Sequence, residues 1–180
     1  MDNIVAFAGS NSSTSINFRL VKYASQQIHE AEIQILNMIN YPFPLYSQDL
    51  EKQKGFSNSL VELHGDFKKA KAFIISVNEH NHTPSAYFKN LIDWLSRFDR
   101  YFLEGKKIFL MSTSPGKGGA EKSRDIAAHL LENAGGEVVS TFSLPSFNHN
   151  FSSEESRIVN EEYEQLFNEA LALFVSKISS

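Results

Sequence analysis

Apolar and polar positions along this chain fall into two regimes. In some short runs every residue is apolar, while in longer stretches apolar residues recur every three or four positions. Ile4-Val5-Ala6-Phe7-Ala8, ending at Gly9, is of the first kind. A half-exposed strand alternates, so an unbroken run predicts a strand buried on both faces. Ile16, Leu20, Ala24 and Ile28 are of the second kind and predict an amphipathic helix from Ile16 to Glu30. The same reading predicts strands at Glu32–Met38, Ala72–Val77, Lys107–Met111 and Glu137–Phe142. Leu60, Leu63, Phe67 and Ala70 mark a second helix. A third starts at Thr83-Pro84, with threonine as N-cap and proline as first helical residue, and turns Phe88, Leu91, Ile92 and Leu95 inward. A fourth runs from Ala120 to Asn133 and is stopped by Gly135-Gly136. Ser152-Ser153-Glu154-Glu155 reads as a capping box opening a last helix, with Tyr163, Leu166, Phe167, Ala170 and Phe174 inward.

This regular alternation of strands and helices predicts an α/β domain with a parallel sheet, because each parallel crossover needs a connecting element. In doubly wound sheets of this kind, ligands sit outside the carboxyl ends of the strands. The loops after the first, third and fourth strands are therefore the ones to inspect.

Composition narrows the function more than the fold. At 180 residues, with 42% hydrophobic and 21% charged, the chain reads as one soluble domain spanning residues 1–180. The absence of cysteine excludes a disulfide framework, a thiolate metal site and a cysteine nucleophile. A net charge of −4 carries no nucleic-acid footprint. No apolar stretch is long enough to cross a bilayer, and Met1-Asp2-Asn3 lacks the basic start of a signal peptide, so a cytoplasmic protein without membrane or nucleic-acid partners is expected.

Gly9-Ser10-Asn11-Ser12-Ser13-Thr14-Ser15-Ile16-Asn17 crowds hydroxyl and amide groups at a helix N-terminus, where free N–H groups and the helix dipole favour a phosphate. It is neither a Walker loop nor a Gly-x-Gly-x-x-Gly fingerprint, and a polar turn with one capping serine is the plainer alternative. After the third strand comes Glu79-His80-Asn81-His82-Thr83-Pro84. Two histidines two apart invite a metal, but no third ligand sits at a suitable spacing, so none is expected. Lys89, Asp93 and Trp94 on the following helix read as structural or interface residues. Ser112 to Ala120 is a second glycine-rich loop, which alone indicates no more than a tight turn.

Together these three loops resemble those of the NADPH-dependent FMN reductase family. Gly9-Ser10-x-x-x-x-Ser15-x-Asn17 is similar to its Gly-Ser-x-Arg-x-x-Ser-x-Asn phosphate loop, with Ser12 where the family has arginine. Glu79 to Trp94 resembles its Pro-Glu-Tyr-Asn loop and Lys-Asn-x-x-Asp-Trp helix; Lys89-Asn90-x-x-Asp93-Trp94 is intact, and His82 replaces the usual glycine. Ser112 to Ala120 resembles a Ser-x-Ser-Pro-Gly-x-x-Gly-Gly loop. Tyr41 to Tyr46 resembles a Tyr-Pro-x-Pro-x-Tyr segment that covers a neighbouring subunit's site.

The resemblance implies a flavodoxin-like three-layer sandwich, a five-stranded parallel sheet of order 2-1-3-4-5 with helices on both faces. It implies FMN, with its phosphate at Ser10, Ser12, Ser15, Ile16 and Asn17. The ring would lie between Glu79, His80, Asn81 and His82 on one side and Ser114, Pro115, Gly116 and Gly119 on the other. NAD(P)H would be the cosubstrate in a ping-pong hydride transfer to a small electron acceptor (a flavin, quinone, azo compound or chromate). A homodimer or homotetramer is also implied. With Ser12 in place of arginine, phosphate charge falls to neutral donors, the helix end, Arg19 or Lys22. Hydride transfer needs no protein nucleophile, so no catalytic residue is assigned and His80 is the one side chain to test. A flavodoxin-like electron carrier and a flavin-free binding module are the other classes; flavin binding and the speed of bleaching by NADPH separate them.

Overall fold

Residues 3–179 are described by a computed structural model. In strand β1 (Asn3–Ala8), Ile4, Ala6 and Ala8 enter one core while Val5 and Phe7 enter the other, all at most 1% exposed. The unbroken apolar run is thus two alternating faces, each covered. Strands β2 (Glu32–Leu36), β3 (Ala72–Val77), β4 (Lys107–Thr113) and β5 (Glu137–Leu144) complete a parallel sheet of order β2-β1-β3-β4-β5. This is the flavodoxin-like order.

Helices α1 (Ile16–Gln26) and α7 (Glu161–Ile178) cover one face, placing Leu20, Val21, Phe167 and Phe174 against Ile74, Phe109 and Met111. Helices α3 (Asn58–Lys69), α4 (Ala86–Phe98) and α5 (Glu121–Asn133) cover the other, where Leu63, Phe67, Phe88, Leu91 and Leu131 meet Phe7, Phe73 and Ile108. A short, unburied helix α2 (Gln48–Lys54) precedes α3, and α6 (Phe147–Asn150) leads into a hairpin of β6 (Phe151–Ser152) and β7 (Arg157–Ile158). Among the described residues no helix is long and apolar enough to cross a membrane.

Several boundaries differ from the sequence reading. Helix α1 stops at Gln26, not Glu30: the Gln27 N–H reaches back only to the Ala24 carbonyl, and Ile28 drops into the core as the chain turns towards β2. β2 ends at Leu36, because the Asn37 side chain caps a 3₁₀ turn at Met38–Asn40. β4 and β5 run two residues longer than the apolar pattern. Ser112 and Thr113 stay in the sheet because Ser112 Oγ donates to Gly119 O (2.7 Å) and Thr113 Oγ1 to Leu144 O (2.6 Å).

The third predicted helix is capped by Ser85, not Thr83, and Pro84 lies outside it; Ser85 Oγ accepts the Phe88 N–H at 3.1 Å. Ser152 Oγ does accept the Glu155 N–H, but inside the β6–β7 turn, while Asn160 caps α7. Leu166 points outward at 46% exposure, and Leu171 takes its place on the Phe167–Phe174 stripe. The Tyr41–Tyr46 segment is pinned to α4 of its own chain, with Asn90 Nδ2 and Trp94 Nε1 both donating to Pro44 O (3.0 and 2.8 Å).

At the amino edge, Asp99 Oδ2 accepts from Lys68 Nζ (2.8 Å) and His64 Nε2 (2.9 Å). The hydrogen bonds from Lys68 and then His64 hold its carboxyl below the ordinary 3.8, at about 2. A depressed pKa contributes stability that is complete above the unfolded value and lost as pH falls through the folded one. Asp99→Asn is therefore expected to cost about 1–2 kcal/mol at neutral pH, with the deficit shrinking between about pH 4 and about pH 2. Urea unfolding of both proteins across that range checks it.

Candidate functional site at the carboxyl edge of the sheet

β1, β3 and β4 are adjacent, so the loops leaving their carboxyl ends are adjacent too. In the first loop, Gly9 admits no side chain: a Cβ there would lie 2.6 Å from Phe88 Cδ2. The Gly9 N–H bonds Ser76 O (2.9 Å), and its carbonyl accepts from Ser85 Oγ (2.8 Å). Ser10 is buried and accepts the Ser12 N–H; Ser12 is exposed, and no cation stands in its place. Ser15 caps α1 by accepting the Phe18 N–H at 3.1 Å, leaving its own O–H to donate. The N–H groups of Ile16 and Asn17, in the first turn of α1, have no intrahelical acceptor and face outward along the helix axis. The Asn17 side chain turns inward instead: Oδ1 accepts from Ser76 Oγ (2.7 Å) and Thr113 N (3.0 Å), and Nδ2 donates to Thr113 O (3.1 Å).

The second loop is a tight hairpin. His80 and Thr83 exchange both backbone hydrogen bonds (2.9 and 3.1 Å), and Asn81 and His82 take φ of 53° and 65°. Two positive φ values at the centre define a type I′ turn. The hairpin is anchored sideways to α5. Ser123 Oγ donates to Asn78 O (2.6 Å), and Glu79 Oε2 accepts the Ser123 N–H (3.3 Å). Ala120, the residue at the cap position of α5, supplies no side-chain cap, so the Glu79 carboxylate fills that role from a distant loop. Glu79 thus spends its side chain on the fold, while His80, Asn81 and His82 are exposed. His80 Nε2 lies 3.1 Å from Asn78 Nδ2, and Asn78 Oδ1 is buried without a partner among the described residues.

The third loop is buttressed from behind. Ser114 O and Gly116 O accept from Phe147 N (3.0 Å) and Ser146 N (2.9 Å). Gly119 is buried with φ of 55°, and a Cβ there would meet Pro145 N at 3.0 Å. Pro115 and Gly116 are exposed at the edge, with Ser114 half-buried. Among the described residues no three His, Asp or Glu side chains converge as a metal site.

The structure places Ser10, Ser15, Ile16 and the hairpin tip in the loops at the carboxyl edge; the commitments of Asn17 and Glu79 and the orphaned Asn78 carried no local signal in the sequence. Those are set by residues from 44 to 96 positions away, beyond any local pattern. An open helix end among serine hydroxyls, a hairpin tip with free backbone groups and an unpaired buried acceptor suit a phosphorylated, hydrogen-bonding aromatic ligand such as FMN.

Fold and site thus define a flavodoxin-like protein of the nucleotide-binding kind. The sequence profile of the NADPH-dependent FMN reductase family matches residues 3–150, and the chain belongs to that family. It is 33% identical over 100 residues to the MG342 homolog of Mycoplasma pneumoniae, covering 56% of each protein. It is 35% identical over 73 residues to a quinone reductase of Escherichia coli strain K12, covering 41% of this chain and 39% of that one. The matched stretches therefore span about half or less of these relatives. The flavoenzyme NAD(P)H:(acceptor) oxidoreductase FerB from Paracoccus denitrificans has the same fold, with a TM-score of 0.81 at 21% identity over 99% of this chain and 98% of that one.

His82 holds a conformation that glycine adopts without cost. His82→Gly is expected to stabilise the protein by about 1 kcal/mol, or about 2–4 °C in Tm. The lost His82–Glu79 contact (3.5 Å, with His82 73% exposed) offsets little of this. Calorimetry of the two proteins checks it.

Proposed function

We propose that this protein is an NAD(P)H-dependent FMN reductase of the quinone-reductase type. The open first turn of α1 carries the reading, with the Ile16 and Asn17 N–H groups unspent beside Ser10, Ser12 and Ser15. Backbone N–H groups and the positive end of the helix would hold the phosphate dianion, with the serine hydroxyls as further donors. Asn81 and His82 would present main-chain groups to the pyrimidine edge of the ring, and Ser114 to Gly116 would bound its other side. Bound FMN supplies the two-electron chemistry, taking hydride from NAD(P)H and reducing a flavin, quinone, azo compound or chromate in a ping-pong cycle. No side chain is required as acid or base, so His80→Ala is expected to leave kcat within about threefold.

Two features support an assembly of copies. A cavity of about 500 Å³ beside the hairpin is lined by His80, Asn81, Ala86, Lys89, Ile126 and Leu130, and Ile126 is 38% exposed. A second copy on α4 and α5 would close it, giving the homodimer or homotetramer.

The visible spectrum with and without FMN, followed by anaerobic NADPH, tests the reductase reading. Micromolar FMN binding with rapid bleaching is expected. No binding overturns the proposal, and very slow bleaching favours an electron carrier. Ser12→Arg, which places a cation in the phosphate loop, is expected to tighten FMN binding about tenfold, measured by fluorescence quenching.

A further inference from the structure

Arg19 and Lys22, the cations expected to help compensate the loop phosphate, turn towards the β6–β7 hairpin and the Phe18 ring. Arg19 and Lys22, one turn apart, overlook a cavity of about 210 Å³ between α1 and the β6–β7 hairpin, whose far wall carries Ser153 and Ser156. Arg97, Arg124 and Arg157 each hold a carboxylate, whereas Arg19 donates to a neutral group, Ser153 Oγ, at 2.7 Å. The Lys22 ammonium rests over the Phe18 ring, 5.2 Å from its centroid. Tyr23 lines the same cavity and is 5% exposed; its ring is packed between Phe151 and Phe167, and its hydroxyl has no hydrogen-bond partner among the described residues. Ser156 is held at a φ of 54°, a conformation a non-glycine residue keeps only when its surroundings impose it. The acids nearby are Glu154 and Glu155 on the turn and Glu164 on α7, and Glu155 is taken by Arg157 at 2.6 Å. Two cations without carboxylates, a tyrosine hydroxyl and two serines around one small cavity form a site for a compact dianion.

We propose that this cavity binds a phosphomonoester group, separate from the phosphate loop by roughly 6 Å along α1 from Ser15 to Arg19. Its source is either the 2′-phosphate of NADPH or free inorganic phosphate. The NADPH source rests on the reductase reading above, while phosphate binding does not.

Isotope-edited NMR reads the two sites separately. Inorganic phosphate is titrated into flavin-free protein while the Arg19 Nε and the Ser153 and Ser156 amides are followed, with Ser10 to Asn17 as the independent report on the phosphate loop. Saturable shifts at the first group are expected, weakened about tenfold in R19Q/K22Q and about threefold in Tyr23→Phe, which keeps the ring packing. If NADPH shifts those resonances and NADH does not, the 2′-phosphate is the ligand; if phosphate does and NADPH matches NADH, the ligand is free phosphate. Absence of shifts at Arg19, Ser153 and Ser156 with both phosphate and NADPH overturns the proposal, whatever happens at Ser10 to Asn17. So do shifts that persist unchanged in R19Q/K22Q.

Discussion

The carboxyl edge of this sheet depends on one buried amide. Asn17 is 1% exposed, and its side chain joins the start of α1 to Ser76 on β3 and to both backbone groups of Thr113 on β4. The ladder holds the strand ends in register as far as Ala8–Ser76 and Val77–Ser112, but the polar loops beyond it need ties of their own. The Asn17 carboxamide supplies one with three hydrogen bonds in a dry setting, where leaving a partner unpaired costs about 1–3 kcal/mol per group. Gly9 adds a steric condition to the same end, since Phe88 occupies the space a side chain would need. The three loops are therefore anchored at their roots and free at their tips.

Much of the fold could be read from the chain because burial on both faces leaves a strong mark. Ile4 to Ala8, Ala72 to Val77 and the Phe88–Leu95 stripe could hardly be anything else. Polar residues that stay in the sheet were harder to see. Ser112 and Thr113 look like the start of a loop until the carbonyls of Gly119 and Leu144 are known to receive them. The same is true of the caps. Thr83-Pro84 carries the stronger local signal for a helix start, but Thr83 is claimed by the turn it closes with His80, and the cap passes to Ser85. Serine, threonine and asparagine each have several local partners to choose from, and long-range packing decides among them.

The candidate site divides along the same line. Its loops were legible because each carries an unusual cluster of small or polar residues at a strand end. The division of labour inside them was not. Glu79 and Asn17 lie within the expected motifs, yet both spend their side chains on architecture: one caps a helix that brings no cap of its own, the other ties three segments together. What remains open to a ligand is largely main chain. The proposed anion cradle therefore does not need an arginine at Ser12, since an unscreened helix end and oriented N–H groups supply positive potential without a formal charge.

The hairpin after β3 has a consequence for how this protein can change over time. Its stem is closed by the His80–Thr83 pair and moored through Asn78 and Glu79 to α5, so Asn81 and His82 at the tip bear no load from the rest of the molecule. What constrains them is their own positive φ, which few side chains tolerate. Substitution at the tip is limited to residues that tolerate that backbone, and it leaves the closed stem and its mooring to α5 in place.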